Sequence, residues 1–412
     1  MQNIGYFCIV KQFYRCQKIA LLLLFVLTAY TANGLTYKQP IPQSMDSIEV
    51  SLLTCGPGNE VWSLYGHTAI RINDRQNHQD LVINYGMFSF RQKFFLLRFV
   101  LGLTDYSMGI QPFEEFFAEY QYQHRWIREQ TLNLTSNEKI ALIQAVNENY
   151  QIDNRTYRYN YFYDNCTTRA RDMIVSNIDG KVLFTRHIGH SSYREQVHKW
   201  NVTHPWARFG NDLLLGVKAD KQTTLSEQQF IPDNLRKDFG AAIIVDSHGL
   251  KKTLVQKSTW LIGPFLQKDF APTPITPMLC AIVLLIVILI VCVAEWKTHK
   301  IWYGIDAILL TTSGIAGLIL FLMIFSQHPT VSVNFQILIL CPLSLVFAFP
   351  AIRQLRKHKI HWYLKLYKYL LVAALGLYVF QKYEPSILIL ALSLLSRNIM
   401  LGILCNKRLS KR

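Results

Sequence analysis

Leu64-Tyr65-Gly66-His67-Thr68-Ala69-Ile70-Arg71-Ile72 and Tyr163-Asp164-Asn165-Cys166-Thr167-Thr168-Arg169-Ala170-Arg171-Asp172 are the stretches around which the chain is organised. The first predicts a strand that begins at His67, directly after a glycine. The second predicts a helix that begins at Cys166, where an extended, tyrosine-rich run ends. Asp164 or Asn165 is a natural N-cap for it, because a short polar side chain can accept from the first-turn N–H groups. A His and a Cys brought together suggest a thiol nucleophile with its base.

Outward from His67, residues 47–55 alternate well enough for a strand, and Cys55-Gly56-Pro57-Gly58-Asn59 is a turn cluster. Residues 67–73 and 80–85 read as a hairpin around the polar turn 74–79. In that hairpin Asn84 or Tyr85 faces His67, and Asn84 is the candidate third group that orients the imidazole. A slip of one residue would exchange the two faces. Residues 89–102 are basic and apolar and predict a helix, either packed in the core or dipping into a bilayer surface. Gln111-Pro112-Phe113-Glu114 opens a further helix, with proline and acids in its first turn. Residues 125–134 predict a strand, and Thr135 with Glu138 predicts a capping box ahead of Ile140, Leu142, Ile143 and Val146. Beyond Asn177 the pattern weakens to short helices at 211–216 and 230–239 and a strand at 241–245.

The ends of the chain have a different composition. Lys11, Arg15 and Lys18 precede the short apolar run 19–30, and small residues follow at Thr31-Ala32-Asn33-Gly34. This order predicts a secretory signal peptide at 1–34, with an uncleaved anchor as the alternative. After Pro272-Thr273-Pro274-Ile275-Thr276-Pro277, a stiff linker, five apolar segments follow at 278–294, 305–325, 335–349, 366–380 and 387–404. Most approach the length that spans a bilayer. Lys297 and Lys300 follow the first, Arg353, Arg356, Lys357 and Lys359 the third, and Lys407, Arg408, Lys411 and Arg412 the fifth. The loop 326–334 carries no Lys or Arg, and the loop after the fourth segment carries only Lys382. Basic loops stay in the cytoplasm, so the C-terminus is expected there and the N-terminal domain outside. The net charge of +16 is accounted for by these loops and by anionic lipid, and no nucleic-acid partner is expected.

Of eight cysteines only Cys55 and Cys166 fall in the part between the apolar ends, which argues against a disulfide scaffold and leaves one bridge possible. Cys55 is the rival nucleophile, without a helix start beside it. At a helix N-terminus Cys166 would be favoured as thiolate, and a nearby backbone N–H could donate to an oxyanion. Arg169 and Arg171, one turn further, either hold a phosphate or carboxylate or are solvated; Tyr163, in the aromatic run 157–163 that could exclude water and admit an acyl chain, is a further substrate-binding candidate. A lone buried Cys is usually packing and a lone His on a strand usually a core residue; it is the combination that points to chemistry. Arg397 is read as the one charge inside a span, near its cytoplasmic end, where it can snorkel. His187, His190 and His198 lie among basic residues and read as surface or headgroup contacts. No metal-ligand spacing and no phosphate-binding glycine loop is present, so neither cofactor nor metal is expected.

Leu52-Leu53-Thr54-Cys55, Tyr65-Gly66-His67-Thr68-Ala69-Ile70-Arg71, Asn84-Tyr85-Gly86-Met87-Phe88, Asp164-Asn165-Cys166-Thr167-Thr168-Arg169 and Asp212-Leu213-Leu214-Leu215-Gly216 occur in order across this region. In combination they resemble the Lnb-type lipoprotein N-acyltransferases of Gram-negative envelopes. The His-then-Cys order also resembles lecithin–retinol acyltransferases and other permuted relatives of NlpC-type cysteine peptidases. The resemblance implies an α+β domain of permuted papain-like fold over residues 35–271, followed by an all-α transmembrane bundle of five helices over 272–412. It implies an inner-membrane protein with a periplasmic thiol acyltransferase domain, in which Cys166 and His67 carry the transfer. The implied donor is a membrane phospholipid and the implied acceptor the α-amine of a diacylated lipoprotein. The same pair could instead serve a cell-wall peptidase or amidase, or the whole could be a non-enzymatic lipid-binding module.

Overall fold

The computed structural model describes residues 45–89, 93–186, 189–264 and 274–409. The expected signal segment, residues 90–92 of the expected 89–102 helix, His187 and the first residues of the proline linker lie outside these. The N-terminal half is built on a seven-stranded antiparallel sheet. Its strands, in chain order, are β1 (Ile48–Cys55), β2 (His67–Asp74), β3 (Gln79–Met87), β4 (Asp105–Pro112), β5 (Ile127–Leu132), β6 (Thr156–Arg158) and, later, β10 (Val255–Ile262). A second sheet holds β7 (Lys181–Leu183), β8 (Ile243–Val245) and β9 (Lys251–Thr253). The spatial order of the large sheet is β10-β5-β1-β2-β3-β4-β6.

The middle strands are covered on both faces, and neighbouring residues therefore enter different cores. Val50, Leu52, Ile70, Ile72, Ile83 and Tyr85 pack with the helices Ser136–Asn149 and Cys166–Val175. Leu53, Cys55, Ala69 and Val82 pack on the other side with Phe116 and Tyr120 of the helix Phe113–Tyr122. The capping box at Thr135 forms: Glu138 N–H donates to Thr135 Oγ1 at 3.3 Å and Thr135 N–H to Glu138 Oε2 at 2.6 Å.

Two sequence expectations change in this half. The helix Phe95–Val100 is shorter than expected and buries no residue, so it is not a core helix. The segment expected at 211–216 belongs to a helix that starts earlier, Pro205–Leu214, because proline fills its first turn.

In the C-terminal half the described residues form helices at Pro277–Thr298, Tyr303–Met323, Leu343–Leu355, Trp362–Gly376 and Pro385–Leu409. Four segments are long and apolar enough to cross a membrane: Pro277–Thr298, Tyr303–Met323, Phe335–Leu355 and Pro385–Asn406. The fourth apolar segment falls short, since a 15-residue helix reaches about 22 Å against a hydrocarbon core of about 30 Å. A 3₁₀ turn, Leu377–Val379, extends it. Its far end returns to the N-terminal half, where Gln381 donates to Leu215 O at 3.1 Å and to Asn334 Oδ1 at 2.8 Å.

The reading of Arg397 as a snorkelling cation is wrong. Its guanidinium is buried and bidentate to two acids, reaching Asp306 at 2.7 Å through both Nε and Nη2 and Glu295 through Nη1 at 2.5 Å and Nη2 at 2.9 Å. Asp306 lies inside the second apolar segment, so Arg397 is not the sole charge there either. Partners a hundred residues away replace the solvent that snorkelling would have sought.

The segment 212–217 is one of the places where the two halves dock. Gly216 N–H donates to Thr330 O at 2.8 Å and Val217 N–H to Val333 O at 2.9 Å. Asn334 and Gln336 donate to the carbonyls of Leu213 and Asp212 at 2.8 and 2.7 Å. Gly216 comes so close that a Cβ there would strike the Val333 carbonyl, which explains a glycine at this point. Below it, Asp212 is buried against Arg194 at 2.8 Å and His198 at 2.8 Å, and Arg194 also holds Asp220 at 2.7 Å. His198 is therefore a partner of a buried carboxylate and not a surface contact, whereas His190 is exposed.

Candidate active site

Each of the expected pair is placed by a local backbone device. Gly66 has φ +82, and a Cβ on it would lie 2.5 Å from Cys55 O. Only glycine takes that turn without strain, and the turn delivers His67 as the first residue of β2. Cys166 is the first residue of its helix. Asn165 is the N-cap, with Oδ1 accepting from the N–H groups of Thr167 and Thr168, both at 2.9 Å, while Asn165 N–H donates back to Thr168 Oγ1 at 2.9 Å. These bonds occupy the second and third N–H groups of the helix. The Cys166 N–H is left without a partner among the described residues and is the donor best placed for an oxyanion.

The strand register brings the third group in. Ala69 lies opposite Asn84, and residues two apart share a face, so Asn84 and His67 stand on one face as diagonal neighbours. Their side chains meet, His67 Nε2 to Asn84 Oδ1, at 3.0 Å. With Nε2–H on the Asn84 oxygen, Nδ1 is the nitrogen left for Cys166, which is the tautomer a base needs. Tyr85, the other residue considered, points into the opposite core and donates to Asn149 at 3.0 Å.

Electrostatics agree with the geometry. Burial opposes ionisation of Cys166, but the His67 charge, the His67 hydrogen bond, the Thr68 N–H and the Thr167 hydroxyl together pull the thiol below its ordinary value. Burial also opposes a charged His67, yet Cys166 and Asn84 hold its pKa above the usual imidazole range. The two shifts favour a thiolate–imidazolium pair. Cys55 contrasts with this. It lies opposite His67 across β1 and β2, is 1% exposed, and burial pushes its thiol up to about 12. It is a packed, protonated thiol, and both cysteines are free rather than bridged.

Alkylation of Cys166 by iodoacetamide is therefore expected to run at the thiolate rate well below the ordinary thiol pKa, and to fall only where acid protonates the sulfur. In His67→Ala, burial is no longer opposed by a cation, and the midpoint should move up past that of a free thiol. A midpoint that His67→Ala leaves in place would refute the ion pair.

The remaining candidates are held by protein partners. Arg169 is bidentate to Asp164, at 2.6 and 2.8 Å, and lies 3.5 Å from the centre of the Tyr157 ring. Arg171 pairs with Asp172 at 2.7 Å and donates to Ser226 O at 3.1 Å and Gln229 Oε1 at 3.2 Å, so the structure ties it to the 225–229 segment and not to the Cys–His pair. Tyr163 is exposed and packs edge-on against Tyr193, with ring centres 5.6 Å apart. Two residues of the site had no role assigned from sequence. The Thr68 N–H helps to lower the thiol's pKa, and the Thr68 hydroxyl donates to Thr167 Oγ1 at 3.2 Å. Position immediately after the His and Cys was the only signal that could have marked them. Among the described residues no group of three or more His, Cys, Asp or Glu is arranged to hold a metal ion.

A half-buried thiol at a helix start, paired with an Asn-oriented His on a sheet that docks onto apolar helices, defines a membrane protein with a thiol centre outside its spans. Comparison with family models then places it. Residues 43–198 match the Lnb N-terminal periplasmic domain and residues 267–409 match the Lnb transmembrane domain, so the chain belongs to the Lnb family. No curated protein and no solved structure matches it.

Proposed function

We propose that this protein is a cysteine-dependent lipoprotein N-acyltransferase of the inner membrane. The observation that carries this reading is the Cys166–His67–Asn84 arrangement in a periplasmic domain fastened to a membrane domain. In the first step the Cys166 thiolate attacks an ester carbonyl of a phospholipid. A C–S bond forms, the C–O bond breaks, and the lysophospholipid oxygen leaves with the proton from His67. The Cys166 N–H and the helix dipole stabilise the oxyanion between these events. In the second step the α-amine of a diacylated lipoprotein attacks the thioester. A C–N bond forms, the C–S bond breaks, His67 takes the amine proton, and the thiolate is restored. Asn84 keeps the imidazole in the tautomer that both steps need. Arg169 could meet the donor phosphate only by exchanging its Asp164 partner.

The test separates transfer from hydrolysis. Purified protein with phospholipid alone should release lysophospholipid slowly and accumulate an acyl-thioester on the Cys166 peptide. A diacylated lipopeptide should accelerate release and become N-acylated, and acetylating its amine should remove the acceleration. Rapid release of free fatty acid, indifferent to the lipopeptide, would make this a phospholipase. Cleavage of peptidoglycan fragments without lipid turnover would make it a peptidase or amidase.

The proposed orientation places the C-terminus in the cytoplasm. It rests on the basic loops after the first and third apolar segments, and on the docking of the weakly charged loops, through residues 327–334 and Gln381, against the N-terminal half. A reporter active only outside the cytoplasmic membrane should be silent when fused after Arg412, and activity there would overturn the orientation.

A further inference from the structure

The helix Phe95–Val100 exposes what a soluble surface hides. Phe94 is 78% and Leu96 75% exposed, and Leu97 and Phe99 also face outward. Among the described residues nothing in the N-terminal half covers them, and the helix contributes no buried residue to any core. Its position explains the exposure. Leu101 O accepts from Gln327 N–H at 3.0 Å, and the Phe99 ring lies 6.5 Å from that of His328, so the helix sits at the end of the membrane helix Tyr303–Met323. That membrane helix exposes Phe321 near its end, and Phe325 just beyond it is exposed too. A short helix that exposes apolar side chains beside the end of a membrane span is suited to the lipid interface.

From this helix a line of aromatic rings leads to the thiol. Phe95 stacks on Phe88 at 6.0 Å, Phe88 meets Tyr106 at 5.0 Å, and Tyr106 stacks on Tyr159 at 4.2 Å. Tyr159 ends beside Gly86, where a single methyl group would touch both its ring, at 3.6 Å, and Cys166 Cβ, at 3.5 Å. We propose that the Phe95–Val100 helix is embedded in the outer leaflet of the bilayer and that the ring line behind it guides a phospholipid acyl chain to Cys166. The occupant of the exposed face is the lipid bilayer itself. This deepens the acyltransferase reading and rests on it for the destination of the chain, but the embedding stands on the contacts with the membrane helices alone.

Two measurements test it. A photoreactive benzoylphenylalanine at position 96 of the full chain in native membranes should crosslink to phospholipid. The same probe at Leu250, equally exposed in the turn between β8 and β9, should not. Absence of lipid adducts at 96, or equal adducts at both positions, overturns the embedding. In the second, Phe94→Asp with Leu96→Asp is compared with the parent for acylation of Cys166 by two donors, phosphatidylethanolamine vesicles and a water-soluble aryl butyrate. The expected result is that the vesicle rate falls at least tenfold relative to the butyrate rate. Loss of both rates in proportion overturns the guiding role. If the parent itself is acylated by neither donor, the acyltransferase reading fails while the crosslink at 96 is unaffected, so the two failures are distinguishable.

Discussion

Cys166→Ser is expected to lower acceptor-dependent lysophospholipid release on the order of 10⁴-fold or more, the scale reached when one member of a nucleophile–base unit is removed. The substitution keeps the volume and the Asn165 cap, so the protein should remain folded in the membrane. A serine hydroxyl does not share the thiol's readiness to ionise, and the neighbours that pull Cys166 down, His67, Thr68 and Thr167, are arranged for an acid near the thiol range. Cys55→Ser supplies the contrast. Its thiol is protonated and walled in by Tyr120, Ile127 and Phe116, so a hydroxyl there affects stability and leaves the chemistry largely in place. Measured side by side by lysophospholipid release, a dead Cys55→Ser and an active Cys166→Ser would reverse the assignment.

Asp212→Ala should destabilise the folded protein by about 3–5 kcal/mol, the usual consequence of removing one member of a buried ion pair. The carboxylate is 0% exposed and serves Arg194 and His198 at once. Without it the Arg194 guanidinium, 2% exposed, keeps Asp220 and the main-chain carbonyls of residues 212, 215 and 216 but loses one of its two carboxylates. Gln336 donates to the main-chain carbonyl of Asp212, which alanine keeps, so the seat on the membrane helices should loosen only as far as the helix end at 212–214 shifts once Arg194 and His198 lose their partner. Thermal unfolding in nanodiscs, with limited proteolysis of the 201–222 segment, would show both effects. An unchanged midpoint and cleavage pattern would mean that the network contributes nothing.

Much of this was written locally enough to be read from the chain. Thr135 with Glu138 marked a helix start, Asp164 or Asn165 marked another, and the turn at 74–79 set off β2 from β3, because caps and turns depend on residues within a few positions of one another. The edges of the sheet were harder. In β4, Asp105, Ser107 and Gly109 dilute the alternation, and β10 is a half-exposed strand that pairs with β5 more than a hundred residues back. What decided the site was register. Sequence left either Asn84 or Tyr85 facing His67, with Asn84 the chosen candidate, and the pairing of Ala69 with Asn84 is what puts the amide and not the phenol beside the imidazole. The misread residues share one cause. Arg397 and His198 each have carboxylate partners that no helical spacing announces, so each looked like a lone cation. The helix at 95–100 looked like core because its residues are apolar. Composition does not say which solvent an apolar face meets.

The Arg397 triad bears on how the chain enters the membrane. Glu295 and Asp306 arrive first, at the end of one helix and the start of the next, while the side chain that joins them among the described residues is carried by the last helix, Pro385–Leu409. During synthesis two carboxylates must wait unpaired where charge is costly, until the C-terminal helix is inserted beside them. Completion of the bundle is thereby tied to completion of the polypeptide. A chain that stops before the last helix leaves both acids without the guanidinium that pairs them.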